Sequence, residues 1–213
     1  MEPYTIVTGA DITQQMISDA IELDRISYEE KYQLQIDTCI SYYKRNNDIY
    51  IMAQENESCK VVGYINFSPV KKSVFLDLLS GNAIDTIISG DDILPYIDNT
   101  LYHGYFSSIV VHPLYRQQGI ATKMLHVWSE LIVNLAVNRD IFFHNIVADA
   151  VSDIGEHLLS EIGFSCIHKS SHSSKIMTLN LFSPDIGQTK LNKEILPIYQ
   201  NYMKRRSTCN EIQ

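Results

Sequence analysis

Sulfur is scarce in this sequence. Cys39, Cys59, Cys166 and Cys209 are its four cysteines in 213 residues, and none forms a C-x-x-C pair. No metal-ligand spacing joins them to the seven histidines, so neither a disulfide framework nor a metal site is expected. Free thiols suit a reducing compartment. The opening "MEPYTIVTGADI" has no basic n-region and no apolar h-region, so a cytoplasmic protein is the expectation. Positive charge is also short: 17 Lys and Arg face 25 Asp and Glu, a net charge of −8. That balance weighs against nucleic acid or an anionic membrane as partner and suits a cationic one. No apolar run approaches the roughly 20 residues that span a bilayer. Long repeats and low-complexity linkers are missing too.

What is present is core-forming material, 45% hydrophobic against 20% charged. Tyr4–Val7 reads as a strand, and Asp11 or Thr13 as the cap of a helix reaching Ile26. "SYEEKYQLQIDTCISYYKRN" reads as a second helical region. Residues 49–54 and 61–67 form a hairpin that Pro69 ends. Residues 70–100 fit nothing regular as a whole: "SVFLDLLSGNAIDTIIS" reads as helical with an interruption near Gly81 and "GDDILPYIDN" as loop, so the span reads as an insertion, a candidate functional loop. A strand over 105–111 follows, then a helix over 118–136 with two adjacent apolar stripes, wide enough to lie deep on a sheet. "IFFHNIVADA", a short helix ending at Gly163, and strands over 164–168 and 175–181 complete the core. Hairpins mixed with crossover helices predict an α/β (α+β) fold around a mixed sheet with helices on both faces. The division expected is one domain over 1–183 and a helical extension over 184–213, separated at Pro184 and Gly187.

The informative stretch is "HPLYRQQGIATKM", residues 112–124. A helix that starts directly after a strand presents unpaired N–H groups and a partial positive charge, which together attract an anion. Gly119 lets a phosphate approach the backbone, Ala121 keeps the first turn small, and Arg116 adds charge. Gln117, Gln118, Ile120 and Thr122 complete the turn.

In this context "SSIVVHPLYRQQGIATKML" resembles the acetyl-CoA signature of the GNAT superfamily of acyl-CoA N-acyltransferases, R/Q-x-x-G-x-G/A, here Arg116 to Ala121. "EIGF", 161–164, is similar to the family's ending after its last helix. The resemblance covers about 4–182 and leaves out the 70–100 insertion and the tail. It implies a GNAT-like fold with an insertion between the third and fourth strands. It implies that 117–122 holds the pyrophosphate of acetyl-CoA, with no metal. It implies that the backbone of Ile109, Val110 and Val111 pairs with the pantetheine arm as an added strand would, in a gap where strands 105–111 and 141–148 splay. An N–H near Val110 would then hydrogen-bond the thioester carbonyl.

Two positions depart from that pattern. Ser107 stands where many members carry a general-base Glu, and Leu159 where many carry a Tyr that protonates the leaving thiolate. A thiol of pKa about 8.5 leaves readily, so the missing acid matters less than the missing base. General acid–base catalysis contributes about 10²–10⁴-fold. His103, Tyr105 and Ser107 are the candidate catalytic residues, and His112 more often shapes its turn. The reading is an N-acetyltransferase acting by direct attack of a primary amine of a small molecule or peptide. A GNAT-like module that binds acyl-CoA as a sensor is the alternative, and a structural partner protein that assembles through its tail is a third. The acids of the insertion, Asp77, Asp85, Asp91, Asp92 and Asp98, suggest one wall of a pocket for a cationic acceptor. The basic tail is expected to dock on a second subunit, giving a homodimer, or on the protein's own acidic face.

Overall fold

The structure, a computed structural model, describes residues 3–183 and 190–210. Its strands are β1 (Tyr4–Thr8), β2 (Tyr50–Glu55), β3 (Val61–Val70), β4 (Leu101–Val111), β5 (Phe142–Ala150), β6 (Ser165–Lys169) and β7 (Lys175–Leu179). They form a single sheet in the order β1-β2-β3-β4-β5-β7-β6. Every neighbouring pair is antiparallel except β4 and β5, which are parallel. The expected mixed sheet, with helices on both faces, is thus what forms.

One face is covered by α1 (Gln14–Ser27), α2 (Ile36–Arg45) and α3 (Lys72–Ser80). The other carries α4 (Ile120–Arg139), α5 (Asp153–Glu161) and α6 (Lys190–Asn210). Met124, Trp128 and Ile132 of α4 are fully buried, and the Trp128 ring meets Phe67 and Phe106 edge-on at 5.4 and 5.3 Å. Among the described residues, α4 has the length and apolarity to cross a membrane, although charged and polar residues interrupt its apolar run. Its apolarity is that of a helix laid on a sheet.

Three local features differ from the sequence reading. The segment after α1 is not helical: residues 28–35 hold only a 3₁₀ turn, Glu30–Tyr32, before α2 begins. Pro69 does not end β3. Its carbonyl accepts from Leu94 N–H at 2.9 Å, so the missing N–H would point at the insertion and not at β4. Proline therefore costs the β3–β4 ladder nothing there, and Pro69 pairs with Gly104.

The third concerns the tail. Pro184 and Gly187, the expected boundary, lie outside the described residues, but α6 packs on α4 and β5. Ile195, Tyr199 and Tyr202 are buried in the main core, and the Tyr199 hydroxyl accepts from the Phe143 N–H at 3.1 Å. Arg205 also pairs with Asp140 at 2.9 Å. The lysines and arginines suggest a solvated appendage, but they share the helix with an apolar stripe at spacings of four and three.

The insertion is a structured body. After α3 come 3₁₀ turns at Asp85–Ile87 and Gly90–Asp92. Tyr42 donates to Ile88 O at 2.7 Å, Asn46 to Leu94 O at 3.0 Å, and a His168 ring nitrogen lies 2.9 Å from Leu79 O. Ties to α2 on one side and β6 on the other hold this segment firmly against the sheet.

Candidate active site

The parallel β4–β5 ladder runs from Leu101/Phe142 only as far as Phe106/Ala148. Beyond it, β4 continues along β3 to Val111, while β5 continues along β7 to Ala150. The strands therefore part, and a cavity of about 830 Å³ opens between them. At the parting point β4 carries a bulge: Phe106 pairs with Phe67 and Ser108 with Asn66, which leaves Ser107 as the extra residue. A bulge re-aims the strand. Tyr105 belongs to the apolar cluster under α1 to α3, Phe106 to the cluster under α4, and after the bulge Val110 returns to the first.

The far end of the cavity is the start of α4. Gly119 caps it at φ +78°, and Gln117 is also left-handed at φ +62°. A Cβ added at Gly119 would meet no atom within 4 Å. Internal packing does not require glycine there; the backbone angle does, and the space above it stays open. The N–H of Lys123 bonds to Gly119 O at 3.0 Å, and the N–H groups of the preceding turn, Ile120 to Thr122, face out of the helix end. Gly63 serves the same corner from β3, where a Cβ would come within 3.0 Å of Val110 O and 3.3 Å of Ile120. Arg116 lines the cavity with its Nε donating to Val111 O at 3.2 Å.

His112 N–H bonds to Val62 O at 2.8 Å. Antiparallel alternation then turns the Val110 N–H toward β3 and the N–H groups of Ile109 and Val111 into the gap. The inward donor is thus beside Val110 and not Val110 itself. The Tyr28 hydroxyl lies against Ser108 and Ile109, and burial raises its pKa well above the usual phenol value.

The near end is acidic. Asp85 reaches in from the insertion, Asp149 from β5, and Tyr28 and Tyr32 from the loop after α1. Ser107 Oγ donates to Asp85 Oδ2 at 3.3 Å. Burial pushes Asp85 up to about 6; the Ser107 bond opposes this and the Asp149 charge adds to it. Burial also raises Asp149. One oxygen of each carboxylate is buried without a hydrogen-bond partner.

Behind this end lies a small cavity with room for about one water, lined by Asp24, Tyr64, Asn66, Asp85 and Ser107. Asp24 is 6% exposed and accepts a short hydrogen bond from the Tyr64 hydroxyl. Burial pushes it up to about 7 despite that bond. A carboxyl raised on folding stabilises the fold at low pH, and the contribution is lost as pH rises from about 4 through 7. Thermal stability should therefore fall across that window, by at most about 1.4 kcal/mol per pH unit for this group. Asp24→Asn should remove its share of the slope and leave the variant the more stable protein at pH 8. Melting curves from pH 4 to 8 check this, and parallel slopes for variant and parent would refute it.

Of the residues singled out in the sequence, Tyr105, Ser107, Ile109, Val110, Val111, Arg116, Gln117, Gly119, Ile120, Ala121 and Thr122 line the large cavity. Gln118 belongs to the same turn but is turned outward, its amide donating to Leu114 O at 3.3 Å. His103 is not at the cavity. It lies where β4 and β5 are still paired, stacked on Phe75 at 4.4 Å, and burial lowers its pKa. His112 Nδ1 accepts from Leu114 N–H at 3.3 Å and so shapes the turn. Leu159 is buried and lines the cavity. Asp91 and Asp92 do not reach it: Asp92 caps its own 3₁₀ turn through Ser89 and pairs with Lys71 at 3.1 Å. Asp85 alone of the insertion's acids lines the cavity. Asp24 and Tyr28 come from α1 and the loop after it; Asp149 comes from β5, and hydrophobic periodicity carries no signal for it. No group of side chains suited to a metal ion occurs among the described residues.

The family model described as "Acetyltransferase (GNAT) family" matches residues 15–148. No curated protein matches the chain. Solved structures do. The loading GNATL domain of CurA from Lyngbya majuscula superimposes with a TM-score of 0.61 at 9% identity, covering 84% of this chain and 98% of that one. A chain of the NatC complex bound to Gag peptide and CoA gives 0.57 at 13% identity, over 84% and 99%. Ard1 from Thermoplasma volcanium gives 0.54 at 12% identity, over 83% and 95%. At such identities the likeness is one of fold.

Proposed function

The chain belongs to the GNAT acetyltransferase family, and we propose that it moves the acetyl group of acetyl-CoA to a primary, cationic amine of a small molecule or peptide. The observation that carries this reading is the parting of β4 from β5 directly in front of the open α4 start. A cofactor with an anionic diphosphate and an amide-bearing arm fits both ends of such a gap. The helix start and Arg116 take the diphosphate. The inward N–H groups of Ile109 and Val111 pair with the arm as an edge strand pairs with a peptide. That brings the thioester to the acidic end, beside Ser107.

The acceptor's ammonium group is attracted there by Asp85 and Asp149, each of which has one buried oxygen without a hydrogen-bond partner. With both substrates held side by side, the amine attacks the thioester carbonyl without a covalent enzyme intermediate. Leu159 offers no proton to the leaving sulfur, and a thiolate needs little help to leave.

Thiol release from acetyl-CoA with and without a panel of polyamines, aminoglycosides and lysine-bearing peptides tests the reading. Release that depends on an amine, with the product one acetyl group heavier, is the expected result. Tight acetyl-CoA binding with no acetylated product from any amine would instead favour a ligand-sensing module.

A further inference from the structure

We infer that Asp85, carried to the gap by the segment between β3 and β4, is the general base of acetyl transfer and replaces the carboxylate that Ser107 cannot supply. This rests on the acetyltransferase reading above and adds to it the origin and identity of the base.

Three observations place the role on Asp85. The first is position. Its carboxylate lines both the large cavity and the small one behind it, at the point where β4 leaves β5. The second is orientation. Ser107, the bulged residue, donates to Asp85 Oδ2 at 3.3 Å and so orients the carboxylate, whose Oδ1 has no hydrogen-bond partner of its own. The third is rigidity. Asp85 opens a 3₁₀ turn whose end is pinned by Tyr42 on Ile88 O at 2.7 Å. A serine where a strand carboxylate would stand is therefore a hydroxyl that aims a carboxylate from elsewhere.

The proton balance is simple. An ammonium proton of the acceptor passes to Asp85. The freed amine lone pair bonds to the thioester carbon, and the C–S bond breaks with its electron pair on sulfur. The second amine proton ends on the thiol, and Asp85 returns its own proton to water. Burial tunes the base toward neutrality, to about 6. The groups that face it are Asp24 and Tyr28 from α1 and the loop after it, Cys39 and Tyr42 from α2, Tyr105 from β4 and Asp149 from β5.

The test uses the full chain, acetyl-CoA and the best amine of the panel. For the parent, kcat should rise through about pH 6 and then level. Asp85→Asn should lower kcat at pH 7 by about 10²–10⁴-fold and abolish that limb, while acetyl-CoA affinity by calorimetry stays within about twofold. Ser107→Ala should lower kcat, because the carboxylate is no longer aimed, and move the remaining limb to higher pH, because the carboxylate loses its hydrogen bond. Asp85→Asn with the parent's kcat and limb would overturn the base assignment while the acetyltransferase reading stands. A parent that does not bind acetyl-CoA would overturn both. Should Asp85→Asn fail to fold, an unmoved limb in Ser107→Ala overturns the assignment.

Discussion

Gly119→Glu should strongly weaken binding of acetyl-CoA while the protein stays folded. Position 119 is left-handed, which costs an L-residue roughly 1–2 kcal/mol. A native domain of this kind has about 5–15 kcal/mol in hand, so the fold survives. Sterically the change is silent within the protein, since a Cβ there meets no atom within 4 Å. The carboxylate would instead enter the space in front of the α4 start. Two like charges about 5 Å apart near a protein surface repel by about 3 kcal/mol. The affinity should fall by about a hundredfold or more, with the dipole of α4 turned from attracting a ligand to holding a side chain. Gly119→Ala, with the backbone cost and no charge, should lose much less. Calorimetry with CoA, beside thermal melts of both variants, decides it. An unchanged affinity for Gly119→Glu would remove the helix start from the binding site.

Deleting residues 184–213 should unfold the protein or drive it into aggregates. Ile195, Tyr199 and Tyr202 are each at most 7% exposed and pack on Phe142, Leu181 and Phe182. Burial of such side chains is worth about 1.5–3 kcal/mol apiece, so their loss alone approaches the whole stability of a domain. The truncation would also lay bare Phe142, now fully buried. Tyr199→Phe isolates the smaller, polar part of the effect. It orphans the Phe143 N–H and should cost about 1–3 kcal/mol. Denaturant melts of that variant, and the soluble yield of the truncated chain, check the two halves of the argument. A soluble, cooperatively melting 1–183 fragment would show that α6 is dispensable.

The elements that could be read in advance share one property: their signal is local. The β2–β3 hairpin, the β4 run "YFSSIVV" and the double stripe of α4 all write their burial into neighbouring residues. The turn 116–122 could be read as a helix start because its glycine falls between a β-branched run and the apolar stripes of α4. Within residues 70–100 the helix that stops at Gly81 is legible, but the 3₁₀ turns after it have no period to detect, and the contact of Asp85 is with a strand residue far along the chain, Ser107. The bulge at Ser107 was invisible for a related reason: pairing with β3 defines it, not composition. His103 differs because β4 begins at Leu101 and not at Tyr105, so this histidine lies inside the strand where β5 is still alongside, and not at its open end. In α6 a basic composition and the apolar stripe Ile195, Tyr199 and Tyr202 share one helix, and composition alone reads it as solvated.

The gap between β4 and β5 is also an unprotected edge, and its place in the sheet decides what can reach it. Unpaired strand edges invite other chains to add on, and proteins ordinarily shield them at the rim of a sheet with charge, proline or short length. Here the open edge runs along Ile109 to Val111 in the interior of the sheet, with β3 on one side and the β5–β7 pair on the other. Another sheet cannot dock against it, because the neighbouring strands stand in the way. One extended chain, a single strand spacing of about 4.8 Å in width, can. An edge so placed is open to an extended chain one strand thick and closed to a second sheet.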